Sequence, residues 1–293
     1  MRVHLLSVVL ALVVAGPLLS QEESWNWPLE EMEVVENYAG NRPFPTGRLG
    51  EPPVIHGMRL SSDLGEVLPI GPGRPIYLLP APEGGINRFV SPLGGMVALG
   101  HEGGLRSIYG HLEPLSPFGA DPARPLGALN GSGAQLGRTL FLGIFDERAR
   151  QSVNPRLILP ELEDRFRPVV SELRLYAAGG NQLLWSSENP ETIVRDGTVT
   201  LVALVYDRQS VNDRYAPYRV TIFANGAQVV DYTWDTRSVW RRLPVARLGD
   251  EAAVTVEAAN VTLVDGTNTI EVVAQDFRGN LEERAFELIR RGR

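Results

Sequence analysis

The chain contains no cysteine. No disulfide, thiolate nucleophile or zinc–thiolate centre can form, no lipoprotein anchor cysteine follows the N-terminal apolar run, and the fold has to be held by its core. Lysine is also missing, because all 28 residues in the Lys+Arg count are arginine. That excludes Schiff-base and other lysine chemistry. Histidine is scarce, with 4 residues, and one of these is His4 near the start. The net charge is −7, and loss of an N-terminal leader carrying Arg2 would make it −7 − 1 = −8. No basic block stands out, so nucleic acid is not an expected partner. Long hydrophobic runs are lacking except at the N-terminus. There Arg2 precedes the apolar stretch Leu5 to Ala15, Pro17 interrupts it, and Ser20 offers a small residue before a cut. A run of about 11 residues is too short for a comfortable membrane span, which needs about 20. The pattern predicts a signal peptide over residues 1–20 and an exported protein, in the periplasm or cell envelope, with no later transmembrane segment. An uncleaved anchor is the alternative.

Hydrophobic residues make up 43% of the 293 and charged residues 22%. This is the balance of a folded chain of one large or two ordinary domains. Residues 21–43 are acidic, carry Trp25 and Trp27, and read as a linker with a helical turn around Pro28 to Asn37. The two tryptophans are expected to pack on the adjacent domain. Residues 44–160 are crowded with Gly and Pro, with short apolar runs between: Pro75 to Leu79, Gly95 to Leu99, Leu105 to His111 and Arg138 to Phe145. Short strands separated by turn residues imply an antiparallel sheet. Residues 161–168 are charged and read as a second linker. In residues 169–293, strand alternation recurs at Glu172 to Ala177, Val199 to Tyr206, Tyr218 to Ala224, Ala253 to Val256, Thr269 to Ala274 and Ala285 to Ile289. Asn225-Gly226 between two such runs marks a hairpin turn. About seven short strands in such a length suggest a β-sandwich. The fold class is therefore all-β.

Residues 94–112, GGMVALGHEGGLRSIYGHL, resemble the core motif G-N-x-V-x-I-x-H-G-x-G-x-x-T-x-Y-x-H-L of the M23 family, the lysostaphin or LytM type of zinc endopeptidase. Gly131-Ser132-Gly133, residues 137–146 (GRTLFLGIFD), Val153-Asn154-Pro155 and Leu159-Pro160 resemble the family's G-x-S-G, G-P-H-L-H-F-E-I, V-N-P and L-P. Ile55 to Leu60 sits where the family has H-x-G-x-D. The likeness covers roughly residues 44–160 and implies an M23-like antiparallel β-sheet domain.

The resemblance implies zinc held by the His and Asp of the first motif and the second His of H-L-H. The histidine of Y-x-H-L and the first His of H-L-H assist the chemistry. Aligned on Gly57, the first two ligand positions hold Ile55 and Arg59. Thr139 and Phe141 replace the histidines of H-L-H, and His111 alone remains, at the Y-x-H-L position. Ile and Phe have no lone pair to give, and Arg59 brings a permanent positive charge to the place of a dication. The expectation is a cleft lined by Ile55, Arg59, His111, Thr139 and Phe141, with no catalytic residue, a vestigial His111 and no cofactor. Its partner would be peptidoglycan or a peptidoglycan hydrolase of the envelope. One alternative is an active zinc metalloendopeptidase acting on peptidoglycan cross-bridges with non-standard ligands, for which His56, Asp63 and His111 are the available set. That set needs the first motif slipped by one residue, which on a strand turns a side chain to the opposite face. Another is a structural or adhesive envelope protein. His101 is expected to face solvent or to cap a turn.

Residues 263–280, LVDGTNTIEVVAQDFRGN, resemble the end of bacterial immunoglobulin-like domains, G-x-N-x-I-x-V-x-A-x-D-x-x-G-N. The implied fold is an immunoglobulin-like β-sandwich over residues 169–293, with Ile270, Val272 and Ala274 on its inner face. Turn-forming roles, rather than calcium ligation, are expected of Asp207, Asp213 and Asp276. At least one of Trp185, Trp234 and Trp240 is expected in the core.

Overall fold

The computed structural model describes residues 25–38, 56–81, 91–115, 124–133, 138–178, 182–190, 192–208, 216–238 and 254–292. The signal-peptide expectation and the cleft residue Ile55 lie outside these residues, as do Asp213 and Trp240. The described chain is all-β, with four antiparallel sheets and two single 3₁₀ turns. No helix among the described residues is long and apolar enough to cross a membrane.

The first half carries β1 (Glu33–Glu36), β2 (Met58–Ser61), β3 (Glu66–Val67), β4 (Arg74–Leu79), β5 (Met96–Gly100), β6 (Leu105–Gly110), β7 (Leu112–Pro114), β8 (Gly127–Leu129), β9 (Thr139–Asp146) and β10 (Gln151–Val153). The main sheet runs β1-β2-β9-β6-β5-β4, and β3, β8 and β7 form a small sheet beside it. Alternation along β9 sets the two faces. Leu140, Leu142 and Ile144 point to the core at 0–2% exposure, joined by Met58 and Leu60 of β2 and Tyr109 of β6. Each buried aliphatic side chain of this size contributes about 1.5–3 kcal/mol. The residues between them, Thr139, Phe141, Gly143 and Phe145, take the opposite face.

The acidic segment differs from expectation. No helical turn forms over Pro28 to Asn37; β1 lies there and pairs with β2, burying Leu29, Val34 and Tyr38. Val34 is the one apolar residue of β1 that faces inward, so a single β-branched contact outweighs the surrounding glutamates. Trp25 and Trp27 do pack on the adjacent domain. Trp25 meets the His101 ring edge-on, and Trp27 Nε1 donates to the Pro160 carbonyl at 2.8 Å.

The second half adds β11 (Val169–Ala177), β12 (Leu183–Ser186), β13 (Thr198–Tyr206), β14 (Arg219–Ala224), β15 (Ala227–Thr233), β16 (Thr236–Ser238), β17 (Val254–Thr262), β18 (Gly266–Gln275) and β19 (Leu281–Arg290). The sheets β12-β11-β13-β17 and β15-β14-β18-β19 pack on each other as a sandwich. Ile270, Val272 and Ala274 are fully buried, as the alternation predicts, opposite Ala224, Ile222 and Val220. Asn225 and Gly226 form the two-residue turn between β14 and β15 with φ of 49° and 79°. Two positive φ values match the right-handed strand twist, and Asn-Gly tolerates them best. Trp185 and Trp234 are both in the core.

The halves are joined by more than the connector. β16 pairs with β10, which also pairs with β9, so a strand of the second half extends the first sheet. Residues 161–168 are irregular, yet Leu162 packs on the core and the Asp164 side chain is 1% exposed.

Candidate binding cleft

The face of the main sheet away from the core gathers three of the aligned positions. Arg59 of β2 is the register partner of Phe141 of β9, and Ser61 is the partner of Thr139. Gly110 of β6 is the partner of Phe141 on its other side, and His111 follows directly. Arg59, Thr139 and Phe141 share one face, and His111 stands at its edge.

Phe141 lies across two glycines. A Cβ added at Gly57 would sit 2.8 Å from its Cε2, and one added at Gly143 would sit 3.0 Å from its Cε1. The ring therefore spreads over the bare backbone of both, at the place where the resemblance puts a metal ligand. Arg59 is tied in by Glu36 of β1, its register partner, at 3.1 Å. The pair is partly shielded, with side-chain exposures of 14% and 28%. A shielded ion pair of this kind is worth about 1 kcal/mol.

His111 is 1% exposed and adopts φ +66°. Its Nδ1 donates to the Ser132 carbonyl at 2.8 Å, which places the neutral ring's lone pair on Nε2. Ser132 also accepts from the Gly95 amide through Oγ at 2.9 Å. The glycines around it make this possible: Gly94 has φ +63° and Gly133 φ +90°, and a Cβ at Gly133 would lie 2.5 Å from the Gly94 nitrogen. The Gly-Gly and Gly-Ser-Gly motifs are thus two backbone loops in contact, clamping the imidazole.

The alternative ligand set does not converge. His56 Nδ1 meets Ser152 Oγ of β10 at 3.2 Å, and Ser152 is held in turn by the Tyr38 hydroxyl. Asp63 lines a shallow cleft of about 230 Å³ with Glu31, Glu33, Ser61, Ser62 and Arg138. His56, Asp63 and His111 do not bring their ligand atoms within 4.8 Å of one another; among the described residues the acidic or imidazole trio that does is Asp164, Asp207 and Asp276. Catalytic zinc uses about three protein donors and a water. A guanidinium, a hydroxyl, a phenyl ring and one imidazole do not fit that requirement.

His101 is neither solvent-facing nor a cap. It is 9% exposed, with Nδ1 donating to the Pro72 carbonyl and Nε2 bonded to Ser107 Oγ, both at 2.7 Å. The 3₁₀ turn after it has no side-chain cap bond. Nearby, Tyr109 is fully buried and its hydroxyl accepts from the Ile70 amide at 2.8 Å, and burial pushes its phenol well above the usual range.

Sequence reasoning missed the junction. Asn154, in the V-N-P match, is 1% exposed. Its Nδ2 donates to the Trp234 carbonyl at 2.8 Å, its amide donates to the Asp235 carbonyl at 2.8 Å, and its Oδ1 accepts from the Arg156 amide at 3.1 Å. Asp207 and Asp276 do come together, with Asp164 as the third member. The only sequence signal for Asp164 was its place in a charged connector.

No family model and no curated protein matches the chain. Solved structures with a partly similar fold include a zinc-containing peptidase from Vibrio cholerae, at 16% identity over 41% of this chain and 36% of that one, with a TM-score of 0.33. The alignment therefore spans about a third of that peptidase. The SpoIIIAH and SpoIIQ complex aligns at 18% identity over 43% of this chain and 91% of the other, with a TM-score of 0.31. A mutant catalytic domain of the prophage-encoded M23 protein EnpA from Enterococcus faecalis aligns at 19% identity over 45% and 95%, with a TM-score of 0.30. The chain is similar to these proteins over less than half of its length.

Proposed function

We propose that this is an exported envelope protein whose M23-like half has kept the cleft of a wall peptidase and lost its chemistry. The cleft then binds peptidoglycan, or a segment of a peptidoglycan hydrolase that it regulates, without cutting it. The observation that carries this reading is the Phe141 ring lying over Gly57 and Gly143 beside the Arg59–Glu36 pair. An aromatic plate beside the Arg59–Glu36 ion pair offers a peptide apolar contact, and neither activates water. The immunoglobulin-like half would act as a rigid buttress through β10 and β16.

Co-sedimentation of the mature protein with purified peptidoglycan, alongside a pull-down of envelope hydrolases, tests the reading. Phe141→Ala is expected to weaken whichever binding is found about tenfold, because a central aromatic contact carries about 1.4 kcal/mol or more. Binding unchanged in Phe141→Ala, or no binding to either partner, favours a structural or adhesive spacer instead.

A further inference from the structure

Three carboxylates from three segments meet where the halves join. Asp164 lies in the irregular connector, Asp207 follows β13 and Asp276 follows β18, and each offers an oxygen within 4.8 Å of the others. Asp207 is 2% exposed and Asp276 1%, while the side chain of Asp164 is 1% exposed. Asp276 accepts from the amides of Arg278 and Asn280, each at 2.8 Å, and from Asn280 Nδ2 at 2.7 Å. Asp207 accepts from the Arg208 amide at 2.8 Å, and Asp164 from the Phe166 amide at 3.2 Å.

Two arginines among the described residues face the trio. Arg156, from the 3₁₀ turn after β10, lies 3.9 Å from Asp164 and stands over the Phe277 ring. Arg278, from the turn after β18, acts on Asp164 as well but is paired with Glu161. Among the described residues, two arginines thus face the three acids, one of them also paired with Glu161. Carboxylates this close in a shielded place repel one another when ionised, which favours a retained proton.

We propose that one proton held among Asp164, Asp207 and Asp276 closes the junction between the two halves, and that its loss as pH rises through neutrality loosens that junction. With one carboxyl neutral, the connector meets less repulsion from the ends of β13 and β18; deprotonation adds a third negative charge there. Burial, and next the charge of Asp164, push Asp207 up to about 7, against an ordinary 3.8. Burial likewise raises Asp164. The sign follows from linkage. Between about pH 4 and 7 the folded chain holds a proton that the unfolded chain has released, so the contribution is full below about pH 4 and is lost as pH rises through about 7.

The test is the thermal midpoint of the whole mature chain and of Asp207→Asn from pH 5 to 8.5, with and without millimolar calcium. Asparagine keeps an oxygen for the Arg208 amide and stays neutral at every pH. The wild type is expected to lose several degrees relative to the variant between pH 5.5 and 8. Carboxyl NMR of the wild type provides a second readout that needs no variant, with Asp207 titrating near neutrality. A pH-independent offset between the two proteins, or Asp207 titrating in the ordinary carboxylate range, overturns the proposal. So does a midpoint raised by calcium with no dependence on pH, which would assign the trio to a cation.

Discussion

Gly57→Ala is expected to lower the stability of the chain by about 3 kcal/mol, at the upper end of overpacking costs. Its added Cβ would press into the carbonyl oxygen of Leu142 and lie 2.8 Å from the Phe141 ring. Gly57 has no positive φ, so the loss comes from the contact alone. The carbonyl belongs to the central strand β9 and cannot retreat without disturbing the ladder to β2 and β6. Gly143→Ala is the informative companion, because the nearest atoms there are the Phe141 ring. Adding Phe141→Ala should restore most of the stability lost in Gly143→Ala and little of that lost in Gly57→Ala. Denaturant unfolding of the wild type, the three single variants and the two double variants, as two double-mutant cycles, reads this directly. Equal rescue at both glycines would mean that the ring is not where the account places it.

Asn154→Ala is expected to cost about 2–4 kcal/mol and to separate the unfolding of the two halves. The substitution leaves the Trp234 carbonyl and the Arg156 amide without their side-chain partner, and each buried unsatisfied group costs about 1–3 kcal/mol. The same residue closes the end of the β10–β16 pairing. Calorimetry of the wild type should show one transition, because β16 belongs to the first sheet in space and to the second half in sequence. In the variant the transition should broaden or split. A wild type that already unfolds in two steps would show the junction to be a weak contact.

Much of this fold was legible in the sequence wherever a strand is long and half-buried. The apolar runs at Pro75 to Leu79, Val199 to Tyr206 and Thr269 to Ala274 lie in strands, as does Leu105 to Gly110 of the run that ends at His111, since short apolar runs between turn residues are a local signal. The elements that escaped are short or paired with distant partners. β10 and β16 have three residues each, too few to show a period, and they meet across the whole connector. β1 hid in an acidic stretch because a single inward residue, Val34, carries its burial. For the candidate cleft the sequence offered positions by motif alignment alone; that Arg59, Thr139 and Phe141 share one face follows from the β2–β9 pairing, which the sequence does not display. The role of His101 was not legible. A turn residue with both ring nitrogens satisfied by Pro72 and Ser107 looks no different in sequence from an exposed one. The acidic trio escaped for the same reason, since Asp164, Asp207 and Asp276 are neighbours only once the sandwich has folded onto the connector.

The most direct test of the central claim is the zinc content of the purified mature protein after loading with zinc, measured beside its cleavage of purified peptidoglycan. The account predicts sub-stoichiometric zinc and no cleavage, because the resemblance puts Ile55, Arg59 and Phe141 at the positions where donors would be needed. About one tightly held zinc per chain, with cleavage abolished by His111→Ala, would contradict it and make the cleft a working metallopeptidase site.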